Sequence, residues 1–333
     1  MKKVSLKDIA IAANVSPTTV SLVLNNRPSR ISEAKKAEIK ALAEKYNYVP
    51  NANAVGLAKQ TTNTIGVIIP DIENPFFSGL ASAIEKELRS HGYNIILINS
   101  DDKLDEDINA IRLLINRGVD GLILTLASES LIKQDEIVEM LDKSAIPYVQ
   151  VDRVYWQKHI NYVTYNDYEG QFALTDYVIK KGFRRIILLA PPAISFHFKE
   201  RVRGFKEAHL ANKLEVDEAM IIPASYRYQG GYDITETVLS LKPDVILAAN
   251  DIVAYGVIKR LTELNYKVPD DIAVTGYDDL AFSKMALVPL TTMRQDTKAL
   301  GKHGVNLLMD QIKHEKEPKQ IILSPVFIKR DSL

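Results

Sequence analysis

The sequence predicts a small all-α unit followed by a much larger α/β body. Three observations carry this. Apolar residues in the first 46 positions recur at helical spacing behind serine caps. From Thr64 onward, short β-branched apolar runs alternate with helical segments. The charge also splits near residue 60: ten basic and four acidic residues before it, +6, and 32 against 38 after it, −6, within a chain of zero net charge. A basic head on an acidic body points to a head that meets a polyanion. A solvated lysine-rich helix face is the plain alternative.

In the head, Ser5-Leu6-Lys7-Asp8 has the form of a capping box, and Leu6, Ile9, Ala10 and Ala13 follow at helical spacing. Asn14 sits where a turn needs left-handed backbone. Ser16 caps a second helix with Pro17 in its first turn. Val20, Val23 and Leu24 form its inward face, and Asn25, Asn26 and Pro28 end it. Ser32 caps a third helix whose inward residues are Ile39, Leu42, Ala43 and Tyr46. Two helices joined by a tight turn and followed by a third are a helix-turn-helix. In that layout the first helix crosses the DNA backbone and the second lies in the major groove. Pro17, Thr18, Ser21 and Leu22 then face base edges, with Thr19 and Asn25 near phosphates. Ser5, Leu6 and Ser16 at the helix starts complete the DNA-facing set. Lys2, Lys3, Lys7 and Lys59 add phosphate contacts, each worth a slope of about 0.9 in log K against log salt. Against this, any of the hydroxyls could serve only to cap or back-bond its own helix.

After Tyr48-Val49-Pro50, Asn51 caps a short segment of small residues, Ala52 to Ala58. Gly56 within it costs about 1 kcal/mol of helix stability relative to Ala. So short a helix is unstable alone in water and orders only when something holds it. Gln60-Thr61-Thr62-Asn63 closes this linker.

The apolar runs of the body are Ile65–Ile69, Asn94–Ile98, Gly121–Leu126, Tyr148–Val151, Arg185–Ala190, Asp244–Ala249 and Ile272–Thr275, with a late strand from Gln320 to Lys329. Continuous apolar strands between helices read as parallel sheets covered on both faces. About 270 residues favour two such halves over one.

Several function classes find no support. There is no cysteine, hence no disulfide, thiolate nucleophile or cysteine-held zinc. The six histidines are scattered, without an i, i+4 pair. No GxGxxG, Walker A or GxSxG sequence occurs. No metal, cofactor or catalytic set is expected. Lys7 and Asp8 interrupt any signal-peptide core, and no run reaches the roughly 18 apolar residues of a membrane span. The expected location is the cytoplasm.

Beyond composition, the residues Val4 to Ala10, Ala13 to Ser21 and Val23-Leu24-Asn25 resemble the headpiece of the lactose-repressor (LacI/GalR) family. Tyr48-Val49-Pro50-Asn51 with Ala54 and Leu57 resembles that family's hinge helix. Ile65-Gly66-Val67, Asn74-Pro75-Phe76-Phe77, Val151-Asp152-Arg153, Arg201 to Phe205, Ala249-Asn250-Asp251 and Gly276-Tyr277-Asp278-Asp279 follow in order through the body. The resemblance implies a repressor that binds pseudo-palindromic double-stranded operator DNA as a homodimer. It implies a headpiece and hinge helix over residues 1–60. It further implies a body, residues 61–333, like a periplasmic binding protein: one subdomain from about 61–163 and 292–321, the other from about 164–291 and 322–333. In the family, the residue equivalent to Leu57 wedges into the minor groove, beside Asn51, Ala54 and Lys59. The sequence departs from the pattern at Leu22, where many members carry arginine, and at Asn14, where glycine is common. No heptad tail follows Ile328-Lys329-Arg330, so a dimer is expected rather than a tetramer.

The resemblance places effector contacts at Asp152, Arg201, Asn250 and Asp278, near strand ends where ligands of α/β sheets bind. Phe77 and Tyr228 are candidates to stack on a ring, or else core residues. Arg153, His197 and Asp251 are weaker candidates at the same cleft. A sugar or sugar derivative is the expected effector, with a purine or a phosphoprotein as alternatives. A solute-binding protein without DNA function is the rival of another class, opposed by the basic head.

Overall fold

The computed structural model describes residues 4–25, 27–48, 61–154, 159–191, 193–313 and 317–333. Two compact units emerge, Met1–Thr62 and Asn63–Leu333.

The head holds α1 (Leu6–Ala12), α2 (Pro17–Leu24) and α3 (Glu33–Lys45). Each start is fixed by a serine. Ser5 and Asp8 form the reciprocal capping box, Ser16 Oγ accepts from Thr19 N at 3.1 Å, and Ser32 Oγ accepts from Lys35 N at 3.4 Å. Asn14 takes the left-handed conformation between α1 and α2, φ 49°. Ile9, Ala10, Ala13, Val20, Val23, Ile39 and Ala43 form a buried core of their own. Tyr46 departs from expectation. It is 41% exposed, because α3 ends at Lys45 and the chain turns; Tyr48 packs on the core instead.

The body contains two parallel sheets. The first runs in the order β11-β5-β4-β3-β1-β2: β1 Thr64–Ile69, β2 Asn94–Asn99, β3 Gly121–Leu124, β4 Tyr148–Val151, β5 Asn161–Tyr165 and β11 Gln320–Leu323. Its helices are α4 (Pro75–Ser90), α5 (Leu104–Asn116), α6 (Gln134–Ser144) and α11 (Thr297–Ile312). The second sheet runs β7-β6-β8-β9: β6 Ile186–Ala190, β7 Ile221–Pro223, β8 Val245–Leu247 and β9 Ala273–Thr275. It carries α7 (Asp167–Lys180), α8 (Phe196–Ala211), α9 (Tyr228–Ser240) and α10 (Asp251–Glu263). Each sheet has an apolar cluster on both faces, which is why its strands read as unbroken apolar runs.

The chain crosses between the halves three times, after β5, after β10 (Thr292–Arg294) and after β11. The predicted late strand is in fact two. Gln320–Leu323 pairs with β5 in the first sheet, whereas β12 (Val326–Ile328) pairs antiparallel with β10. Ser324-Pro325 divides them, and Pro325 has no N–H to carry a ladder onward. Residues Thr292–Arg294 therefore lie with the second half, not the first, since Met293 is buried in that half's core. Leu333 packs in the same cluster.

Candidate functional site

The outer face of α2 is polar and open. Pro17, Thr18 and Asn25 are exposed, and Thr19, Ser21 and Leu22 half-buried. Several of the expected DNA-facing side chains have duties within the head. Ser5 Oγ donates to Asp8 Oδ2 at 2.7 Å. Ser16 Oγ and Thr19 Oγ1 lie 2.9 Å apart, and Asn25 Nδ2 donates to Ser21 O at 2.8 Å. Leu6 is half-buried on the head's core. Among the described residues, Thr18 and Leu22 take part in no cap of this helix. Lys2, Lys3, Asn51, Ala54, Leu57 and Lys59, with the rest of the expected hinge helix, lie outside the described residues.

In the body, loops that leave the carboxyl ends of strands in both sheets meet at one cleft. Asn74 and Phe77 follow β1, Asp152 and Arg153 follow β4, His197 and Arg201 follow β6, Tyr226 follows β7, Asn250 follows β8, and Asp278 follows β9. Gln295, at the second chain crossing, closes the set. Parallel strands put all these loops on one edge of each sheet, and the two edges face each other. The space left between the side chains is small, about 30 Å³, roughly that of two waters.

A buried charge network shapes the cleft. Asp167, the first residue of α7, accepts from Arg201 Nε at 2.7 Å and lies 2.5 Å from His197 Nδ1. Arg201 also donates to Ala249 O at 2.5 Å, and its guanidinium lies 3.6 Å from the centre of the Tyr277 ring. Burial opposes ionisation of Asp167, but His197 and Arg201 outweigh it and hold the carboxyl at about 2. Asp278 and Asp152 have the opposite balance. Burial raises both, with Asp251 adding repulsion at Asp278 and His197 only partly offsetting the cost at Asp152. Both are in positive-φ backbone, 132° for Asp278 and 69° for Asp152, where an L-residue is strained. Arg153 donates to Asp102 Oδ1 at 2.5 Å and lies over Phe77 and Tyr226, 5.3 and 5.2 Å from the ring centres. Gln295 Nε2 is buried without a partner among the described residues.

Phe77, Asp152, Arg153, His197, Arg201, Asn250 and Asp278 thus come together at the cleft. Two expected residues do not. Tyr228 begins α9, is 39% exposed and stacks on Tyr232; Tyr226, on the loop before that helix, takes its place. Asp251 points away from the cleft into the second half. Its carboxylate accepts from Leu280 N at 2.9 Å, from Thr292 Oγ1 at 2.6 Å and from Ser283 Oγ, and it does not line the cleft. Gly276 makes this possible, since a Cβ there would come within 2.1 Å of Asp251 Oδ1. Asn74, Asp167, Tyr226 and Gln295 were not expected from the sequence. Tyr226 and Gln295 each follow a three-residue strand too short to announce itself, while Asp167 reads only as a helix-start acid.

Among the described residues, no cluster of His, Asp and Glu could hold a metal, and no helix is long and apolar enough to cross a membrane.

Comparison with known proteins fits this geometry. Residues 5–51 match the model of bacterial regulatory proteins of the lacI family. Residues 62–331 match that of periplasmic binding proteins and the sugar-binding domain of the LacI family. The HTH-type transcriptional repressors PurR of Pasteurella multocida (strain Pm70) and Vibrio atlanticus (strain LGP32) are 30% and 31% identical, each alignment covering 99% of this chain and 98% of the relative. A lac repressor dimer bound to operator and the anti-inducer ONPF aligns over 99% of both chains at 27% identity and TM-score 0.87. A LacI family regulator from Enterococcus faecium with bound ribose covers 81% of this chain and 98% of its own, at 32% identity and TM-score 0.73. With a helix-turn-helix head and a two-sheet, ligand-binding body matched along almost its whole length, the chain belongs to the LacI family of bacterial DNA-binding transcriptional repressors.

Proposed function

We propose that the chain is a homodimeric repressor that reads a pseudo-palindromic operator through α2 and takes a neutral, polyhydroxylated effector of the sugar type in the cleft. The observation that carries the effector class is the state of the cleft's charges. Three carboxylates, Asp152, Asp167 and Asp278, face two guanidinium groups, and both arginines already donate to partners of their own: Arg201 to Asp167 and Ala249 O, Arg153 to Asp102. An entering anion meets three carboxyl groups and two arginines already committed to partners of their own. A polyol brings O–H donors to Asp152 and Asp278, which burial leaves short of donors, and acceptors to the Gln295 amide. A purine, which also carries N–H donors and a flat face, is the second reading; Phe77 and Tyr226 support it, with Arg153 now lying over both rings.

The remaining space is too small for a sugar ring, so binding requires the halves to part or the side chains to move. That movement would alter the spacing of the two heads in a dimer and couple effector to operator, reciprocally. The test is binding of the full-length protein to labelled fragments from around its own gene, with and without panels of neutral sugars, sugar phosphates and purines, paired with thermal shift. A saturating effector at 100 times its Kd stabilises by about 2.7 kcal/mol. A response to sugar phosphates alone would overturn the charge argument, and no fragment bound at low salt would overturn the operator assignment.

A further inference from the structure

A second, smaller pocket opens beside the cleft and shares Arg153 and His197 with it. Its wall is apolar, formed by Leu126, Leu131 and Val154. Two serines also line it, and Ser195 Oγ already lies 3.1 Å from the Tyr226 hydroxyl. Ser128 is 5% exposed, and its Oγ is buried with no hydrogen-bond partner among the described residues. The segment that carries it is held on both sides. Ala127 N donates to Asp107 Oδ2 at 2.6 Å, Ser128 N donates to Asp102 Oδ1 at 3.1 Å, and Ser130 Oγ donates to Asp107 Oδ2 at 2.7 Å. The backbone and the neighbouring hydroxyl are satisfied, while the Ser128 hydroxyl is fixed in place and unused. A buried hydroxyl without a partner is costly to keep unless something supplies one.

We propose that this pocket receives a short neutral arm of the effector, one or two heavy atoms ending in a hydroxyl, such as an exocyclic hydroxymethyl group. This rests on the sugar-type reading of the cleft. The free space is about 10 Å³, room for about one water-sized group, which excludes a ring or a phosphate. A methyl would leave Ser128 unsatisfied. A carboxylate would enter an apolar wall beside an arginine already bonded to Asp102 and to Leu126 O. A hydroxymethyl meets both needs, with its hydroxyl filling that space on Ser128 and its CH2 following it from the cleft. Ser128 is then a specificity residue that separates pyranoses with this arm from those without it.

Two sugar pairs differ only in this group: D-glucose with D-xylose, and D-galactose with L-arabinose. Calorimetric titration of the full-length wild-type protein and of Ser128→Ala with all four tests the proposal. In at least one pair the hexose is expected to bind about tenfold tighter than its pentose, from the buried CH2 and the added hydrogen bond. Ser128→Ala is expected to weaken that hexose about fivefold and leave the pentose unchanged. The melting temperature of the ligand-free variant should not fall, because no hydrogen bond is lost. Equal affinity within both pairs, or an equal loss for hexose and pentose in Ser128→Ala, would mean that the pocket holds only solvent. Failure of all four sugars to bind would overturn the sugar reading of the cleft, and this proposal with it.

Discussion

Asp167→Asn isolates the charge at the centre of the cleft, since asparagine keeps the shape and one acceptor oxygen. The wild-type carboxyl is held at about 2 against an ordinary 3.8, which corresponds to about 2 kcal/mol of preference for the ionised form. The group is fully buried, so solvent screening takes little from this. Removing the charge also leaves Arg201 and His197 facing each other in a buried site, and breaking such a pair costs about 3–5 kcal/mol. The loss expected at pH 7 is therefore about 2 kcal/mol or more, and the body's melting temperature should fall by roughly 5 °C. The sign of the pH dependence follows from the depressed value. The stabilisation is complete above 3.8 and disappears as pH falls through 2, so about half remains at pH 3. Urea unfolding of both proteins from pH 7 to pH 3 measures the gap. A gap below about 0.5 kcal/mol at pH 7, or one that does not narrow at pH 3, would refute the assignment of Asp167 as the counter-ion that holds Arg201.

Three further outcomes are expected. Asp278→Asn should raise the melting temperature of the free protein and weaken sugar binding, because burial places the wild-type carboxyl well above 3.8. The wild type accordingly loses stability as pH rises through that raised value, and the variant should lose that dependence; thermal shift across pH 4–8 reads both effects. Leu22→Arg should change the base preferred at one position of each half-site, by about 1–3 kcal/mol of discrimination, in binding selections from randomised duplexes. An unchanged preference would remove Leu22 from the reading face. Lys7→Ala, an exposed residue of α1, should lower the slope of log K against log salt by about 0.9 and leave sequence preference intact.

The head was legible almost residue by residue, because caps and turns act locally: Ser5, Ser16, Ser32 and Asn14 do in the structure what their neighbours in sequence require. The long apolar strands were legible for a similar reason. Burial on both faces leaves no polar residue to interrupt them. β5 was missed because Asn161, Tyr162 and Thr164 look like surface residues. They are buried by long-range partners, with Asn161 Oδ1 accepting from Lys319 N and Thr164 Oγ1 donating to Asp152 O. The same non-locality hid Asp167, whose neighbours in the fold lie 30 and 34 residues away. Asp251 failed in the other direction. A motif can mark a residue as important without saying which way its side chain points, and here it points into the second half to hold the loop that carries Asp278.

The three crossings bear on how the molecule is made. The first sheet lacks an edge strand and part of its core until α11 and β11 have been translated, since Leu300, Val305, Leu307 and Leu308 pack into its central cluster. The second half waits longer still, for β12 and Leu333. A nascent chain leaving the ribosome therefore exhibits the three helices of its head roughly 280 residues of synthesis before either wall of its sensor can close. Until those last segments emerge, regulation by a metabolite is physically out of reach.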